Sequence, residues 1–375
     1  MALNSTHKPV LPLDVCLEVI DAVSIVDGNH MYATLRACAL TCSAWLRRAR
    51  HHLYSEVFLQ HHPPTAFVPF FRTISCSLEL GMLVKCLQAD LSNREEHGEA
   101  DTLPVLVGKA IGNLPNLREL YLRYVCGISA TIHSLLREFL RANSARTLGL
   151  VGWTFDSFRE LVGYLEGMSH VRYLTISECF WVDLAVYEHS EIKPGFCKNL
   201  IELSLDGNLA YDPFLQIMPA SIRFLRMGPH LPEERRDTYD PVDTYDCITR
   251  FTALEWLHLA GNYQEKYDWI LTVLTNIRSP HVRALSLEYG LSGTPESEDI
   301  LCGHLVDLDR LLSNMPLLRT IENITVLKRL WFDLKSVPDA EEQAARMRRE
   351  LASLLRECQQ RRVTLIFEIE FDPFG

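Results

Sequence analysis

The residues of this 375-residue chain best able to do chemistry are its 11 cysteines and 14 histidines, and their spacing decides which chemistry is open to them. Cys38 and Cys42, followed by His51 and His52, have the residue types of a zinc site. The step from Cys38 to Cys42 is also the step along one helix face, and Trp45, Leu46, Ala49 and Leu53 continue that face. Packing is therefore expected there instead of ligation. His61 and His62 precede two prolines and read as a solvated turn. A catalytic cysteine needs an electropositive pocket with a base beside it, and the sequence assigns neither to any cysteine. Glycine-rich phosphate loops, a nucleophile elbow, HExxH and EF-hand spacing are all missing from the sequence. The expectation is a protein without intrinsic catalysis, metal or cofactor.

The cysteines are odd in number and form no CxxC pair, which predicts reduced thiols in the cytosol or nucleus. The first 25 residues break their apolar stretch with Pro9, Pro12, Asp14, Glu18 and Asp21, unlike a secretory signal. Without export, the sequons at Asn4 and Asn323 carry no meaning. No uncharged apolar run approaches the roughly 18 residues of a membrane span, so no membrane partner is expected. A net charge of -11 repels nucleic-acid phosphates. With 47% hydrophobic and 23% charged residues the chain is an ordinary folded globular one.

Two kinds of element must then position whatever binding residues there are. From Leu11 to Leu59 the pattern is helical. Pro12 suits a first helical turn. After it, Leu13, Cys16, Leu17, Ile20 and Val23 make one apolar face, and Val15, Val19 and Ala22 make another. A helix apolar on two sides must be covered twice, either by its own domain and a partner or by its domain and the repeats downstream. A second helical stretch runs from Thr34 to Leu53, where Leu35, Ala37, Leu40 and Ala44 widen the apolar surface.

This stretch, LPLDVCLEVIDAV followed by TLRACALTCSAWLRRARHHLYSEVFL, resembles an F-box. Leu11, Pro12, Leu17, Ile20, Leu35, Leu40, Cys42 and Trp45 stand at the motif's usual apolar positions. Asp14 replaces a commoner Glu, and the segment from Ser24 to Ala33 is longer than is usual between the helices. The resemblance implies docking on a Skp-type adaptor, and through it a cullin, by Leu11, Pro12, Leu17, Ile20, Leu35, Leu40 and Trp45.

Behind it an apolar triad recurs, with its second and third members three and five residues after the first. It runs Val84/Leu87/Ala89, Leu117/Leu120/Leu122, Ala145/Leu148/Leu150, Val171/Leu174/Ile176 and Leu200/Leu203/Leu205. It continues as Ile222/Leu225/Met227, Leu254/Leu257/Leu259, Val282/Leu285/Leu287 and Leu327/Leu330/Phe332. Intervals of 22 to 45 residues, with helical patterns between, resemble irregular leucine-rich repeats. Cys179, Asn208 and Asn262 take the position of the family's asparagine or cysteine, while Val125, Trp153, His230, Gly290 and Lys335 replace it elsewhere. Ala340 to Gln360 reads as an amphipathic helix, with Met347, Leu351, Leu354, Leu355 and Cys358 inward. A strand at Val363 to Ile369 follows it and caps the array.

The expected fold class is α/β: a tail over residues 1–10, a helical F-box over 11–59, and an irregular leucine-rich-repeat solenoid over 60–375. Its parallel strands line a concave face and its helices a convex one. Residues flanking the strand anchors face the concave side, among them Tyr121, Arg123, Tyr173, Phe224, Arg226, Trp256, His258 and Trp331. Aromatic residues and arginine dominate interface hot spots, which makes these the candidate target-binding residues. The other reading is lateral packing across neighbouring strands. Three acidic stretches, Glu95 to Asp101, Glu233 to Asp246 and Glu296 to Asp299, read as solvated loops or as a means of steering a basic partner. The resemblances imply a substrate receptor of a ubiquitin ligase that binds an unknown target protein. A repeat scaffold without any ligase role is the alternative.

Overall fold

The computed structural model describes residues 12–24, 29–59, 67–90, 110, 112–123, 134, 137–138, 140–142, 144–166, 168–183, 197–207, 211–229, 245–261, 268–291, 295–315, 320–330, 340–360 and 363–371. Leu11, Trp331, Asn208, Asn262, His230, Lys335, Val125 and the first acidic stretch lie outside them, as does most of the second. The described chain is mixed α/β and falls into two compact units, Met1–Leu122 with Ile128–Ala145, and Arg123–Gly127 with Arg146–Gly375.

In the first unit α1 (Leu13–Val23), α2 (Asn29–Ala39) and α3 (Ser43–Ser55) pack around Ile20, Leu35, Cys38 and Ala49. Val23, Met31, Ala39, Trp45 and Leu53 close over that cluster. Arg48 of α3 donates from Nε and Nη2 to the two carboxylate oxygens of Asp21 on α1, both at 2.6 Å. His52 Nε2 meets the same carboxylate at 2.7 Å. α3 then runs directly into strand β1 (Glu56–Leu59), which pairs in parallel with β2 (Cys86–Asp90). β3 (Glu119–Arg123) follows β2 in the same sheet.

The second unit is built on parallel strands in chain order. These are β4 (Thr147–Val151), β6 (Tyr173–Ser177), β8 (Glu202–Gly207), β9 (Phe224–Pro229), β10 (Trp256–Gly261), β11 (Ala284–Leu291), β12 (Asn323–Leu330) and β13 (Thr364–Phe371). A separate parallel pair, β5 (Thr154–Ser157) and β7 (Phe180–Asp183), trails β4 and β6. Helices such as Phe158–Leu165, Asp268–Asn276 and Pro295–Asn314 join the strands. This arrangement is solenoid-like, and the repeat triads are its core. Every anchor of the first eight triads is buried, for example Leu203, Leu205, Ile222, Leu225, Met227, Leu254, Leu257 and Leu259, all at 0% exposure. Alternation explains this, because anchors two residues apart share a sheet face while the residue between them points to the other. Cys179 fills its repeat position with its thiol donating to the Leu150 carbonyl at 3.4 Å, whereas Trp153 is fully buried against Phe155 and Tyr164.

Four expectations need correction. The helical stretch from Thr34 to Leu53 is two helices, Asn29–Ala39 and Ser43–Ser55, parted by a turn at Leu40 and Thr41. The ninth triad sits six residues earlier than its leucine pattern suggests, because Ile321, Ile324 and Val326 are the buried anchors of β12. Lys-Arg at 328–329 mimicked the spacing between anchors, so pattern alone slid the register. The acids from Glu296 to Asp299 open the helix Pro295–Asn314 instead of forming a loop. Proline in the first turn and carboxylates near a helix N-terminus both suit that position. The C-terminal helical stretch breaks at Leu355 into Ala340–Leu354 and Arg356–Gln360, with Leu351, Leu355 and Cys358 buried.

Candidate functional site

On α1 the two apolar faces have different fates. Cys16 and Ile20 are buried, at 9% and 0% exposure. Leu13, Val15 and Val19 stand 52%, 40% and 50% exposed, and Pro12 and Ala22 are exposed beside them. Leu40, just past the end of α2, is 88% exposed. Of the residues assigned to adaptor docking, Pro12 and Leu40 are therefore at the surface and Leu17 is half-buried. Ile20 and Leu35 are fully buried in the unit's own core, and Trp45 packs against it. Ile20 and Leu35 thus support the exposed face from behind, and Trp45 is half-buried at the edge of the cluster. Periodicity separated the two faces of α1 but could not say which one the neighbouring helices would take.

The Asp21–Arg48–His52 bracket fixes α1 on α3. It joins residues 27 and 31 positions apart, so no local spacing announces it. The Arg48 guanidinium, and after it His52, holds the Asp21 carboxyl well below the usual carboxylate range. Cys38 is buried and Cys42 is exposed at the start of α3. Among the described residues no group of three or more His, Cys, Asp or Glu is placed to hold a metal ion. Burial pushes the thiol of Cys86 up to about 11, and those of Cys179 and Cys197 to about 12, so these are poor nucleophiles.

The open face of the sheet carries the remaining candidates. Tyr121 and Arg123 are half-buried on β3. In the second unit Tyr173 is 41% exposed, while Phe224, Arg226 and Trp256 are half-buried and His258 is buried. Register brings them together: Tyr173 pairs with Glu202, Glu202 with Phe224, and Phe224 with Trp256. The Phe224 and Trp256 rings lie 6.4 Å apart, and Trp256 lies 5.6 Å from the His258 ring. Lateral packing thus claims part of the aromatic row, and Tyr173 is its most exposed member.

Behind Trp256 the face is polar and closed on itself. His258 Nδ1 and Ser286 Oγ are 2.9 Å apart, and His258 Nε2 and Glu288 Oε2 3.0 Å. Arg226 Nη2 approaches the same Glu288 oxygen at 3.5 Å. The ring nitrogens are both satisfied when Nε2–H donates to Glu288 and Nδ1 accepts from the Ser286 hydroxyl. A serine, a histidine and a carboxylate in one chain have the composition of a nucleophile, its base and an orienting acid. The surroundings do not complete that set. Ser286 is 8% exposed, and β11 pairs on both sides, so its strand N–H groups are engaged in the ladder and leave no paired donors for an oxyanion. What the residues form is a buried polar bracket tying β9, β10 and β11. His258 lies on this face as its strand position predicts, but nothing in the sequence joins it to Ser286 and Glu288, because their contacts cross strands about 30 residues apart.

Comparison with known proteins adds a structural neighbour. The sequence matches no protein-family profile and no curated protein. Among solved structures it is similar to the yeast Rad7 and Elc1 complex, with 13% identity and a TM-score of 0.38. The match covers 84% of this chain and 74% of that one.

Proposed function

We propose that the chain is the non-catalytic, substrate-recognising subunit of a cullin-RING ubiquitin ligase of the Skp-cullin-F-box type, acting in the cytosol or nucleus. Its front helices dock a Skp-type adaptor and its open strand face holds a target protein. The observation that carries this reading is the second apolar face of α1. Val15 and Val19, with Leu13 at the helix start, stay exposed on a helix that already buries Cys16 and Ile20, on a stretch that resembles an F-box. An uncovered apolar face rimmed by Asp14 and Glu18 is what an interaction surface looks like before its partner arrives. The mechanism asks for no reacting side chain in this protein. Holding a target lysine near a charged transfer enzyme raises its effective concentration.

The test is capture of a purified Skp-type adaptor by the full chain. Val15→Asp with Val19→Asp should abolish capture while circular dichroism stays that of the parent, and Leu40→Asp, outside the helices, should weaken it. A parent chain that fails to bind the adaptor would leave a repeat scaffold with no ligase role.

A further inference from the structure

In the second unit the open sheet face holds a carboxylate that its own strand neighbours leave unanswered. Glu202 is half-buried on β8, and its side chain meets no hydrogen-bond or ion-pair partner among the described residues. In-register neighbours on parallel strands lie about 4.8 Å apart with side chains on the same face. Glu202 is therefore flanked by two aromatic rings, Tyr173 on one side and Phe224 on the other, with Trp256 one strand further on. Two cations beside this row are committed elsewhere. Arg226 turns toward Glu288, and Arg223, at the strand edge, is held by Glu255 through two contacts of 2.7 Å. Burial raises the Glu202 carboxyl above its ordinary value, and no neighbouring charge offsets that effect.

We propose that the strip of Tyr173, Glu202, Phe224 and Trp256 receives an arginine side chain of the partner protein. A guanidinium is the group that answers all of these features at once. It can take a carboxylate with two parallel hydrogen bonds while its plane rests on an aromatic face. The molecule already contains one instance of the chemistry, since the Arg223 guanidinium carbon lies 5.6 Å from the centre of the Phe224 ring while its donors hold Glu255. The net charge of -11 favours approach of a basic segment. An acidic segment would meet Glu202 uncompensated and find Arg226 already paired. The inference deepens the proposed function and rests on its reading of the strand face as the protein-binding surface.

The experiment uses the full chain and three fluorescent nine-residue glycine–serine peptides, carrying two central arginines, two citrullines or two glutamates. Citrulline keeps the shape of arginine and removes its charge. By fluorescence anisotropy at low ionic strength the arginine peptide should bind about tenfold or more tighter than the citrulline peptide. Glu202→Gln should erase that preference, and Tyr173→Ala should reduce it, with both variants keeping the parent circular dichroism. Equal binding of arginine and citrulline peptides, preference for the glutamate peptide, or absence of arginine-peptide binding up to millimolar concentration would overturn the proposal. So would a Glu202→Gln chain that retains the preference. Adaptor capture is read separately: a chain that captures the adaptor but ignores arginine refutes this inference alone. One that binds the arginine peptide but no adaptor refutes the ligase reading and leaves the strip standing.

Discussion

Val19 and Ile20 are chain neighbours on α1, and His258 and Leu259 are chain neighbours on β10; in both pairs one residue faces the core and the other does not. The outward members have opposite characters. Val19 is apolar, half exposed and uncovered, whereas His258 is polar, buried and bonded on both ring nitrogens. The front helices thus leave hydrophobic surface exposed. On β9 to β11 the strand face closes polar groups on each other, while the row from Tyr173 to Trp256 stays more open. Burial of apolar area drives the first kind of surface to associate without demanding direction, while the second selects by hydrogen bonds and charge. The proposed function assigns the front region a constant partner and the strand row a chosen one.

The comparison is broken most decisively at Val19 and Ile20. Ile20→Ala should destabilise the first unit by about 2–5 kcal/mol, since it empties a fully buried site, and Val19→Ser should change stability by less than about 0.5 kcal/mol. Urea unfolding of both variants checks this, and equal effects would mean that the Val19 face is covered within the chain. On the strand side, His258→Ala leaves the buried Glu288 and Ser286 short of a partner and should cost about 1–3 kcal/mol. Unchanged thermal unfolding would show that the bracket contributes nothing to the sheet.

Gly207→Ala sharpens the contrast within the array. Gly207 has φ 101°, and a Cβ there would come within 2.7 Å of the Glu178 backbone nitrogen. A loss of about 1–3 kcal/mol is expected, read by thermal unfolding, with the front unit unaffected.

The smallest effect is that of pH on the Asp21 bracket. The folded carboxyl is held below its unfolded value, so the bracket's stabilisation is complete above the unfolded carboxylate range near pH 4 and is lost as pH falls toward the folded value. Partial exposure and salt screening keep it modest. Unfolding followed from pH 6 down to pH 2 should show Asp21→Asn less stable than the parent at the upper end and converging on it at the lower. A constant gap would remove the bracket from the account.

Much of the fold was legible because period-two alternation and helical periodicity are local. The anchors from Val84 to Leu287 fall where their spacing puts them, and the helices over Phe158–Leu165 and Asp268–Asn276 follow their apolar patterns. Where two registers satisfied the same rule, as at Ile321 and Leu327, pattern chose wrongly, because only pairing with β11 distinguishes them. The candidate sites were less legible. Leu40 and Leu35 are both leucines at helical spacing, yet one is 88% exposed and the other fully buried.

By itself, then, the sequence determined most of the element types, the anchors of eight of the nine triads, the doubly apolar first helix and the aromatic positions of the open face. Each of these depends only on residues a few positions apart. The tertiary structure decided which face of α1 was left uncovered, that Asp21 meets Arg48, that His258 joins Ser286 and Glu288, and that Glu202 stands between two rings without a counter-ion among the described residues. Those outcomes depend on which strands and helices become neighbours, and a contact across about 30 residues of chain leaves no local periodicity to read.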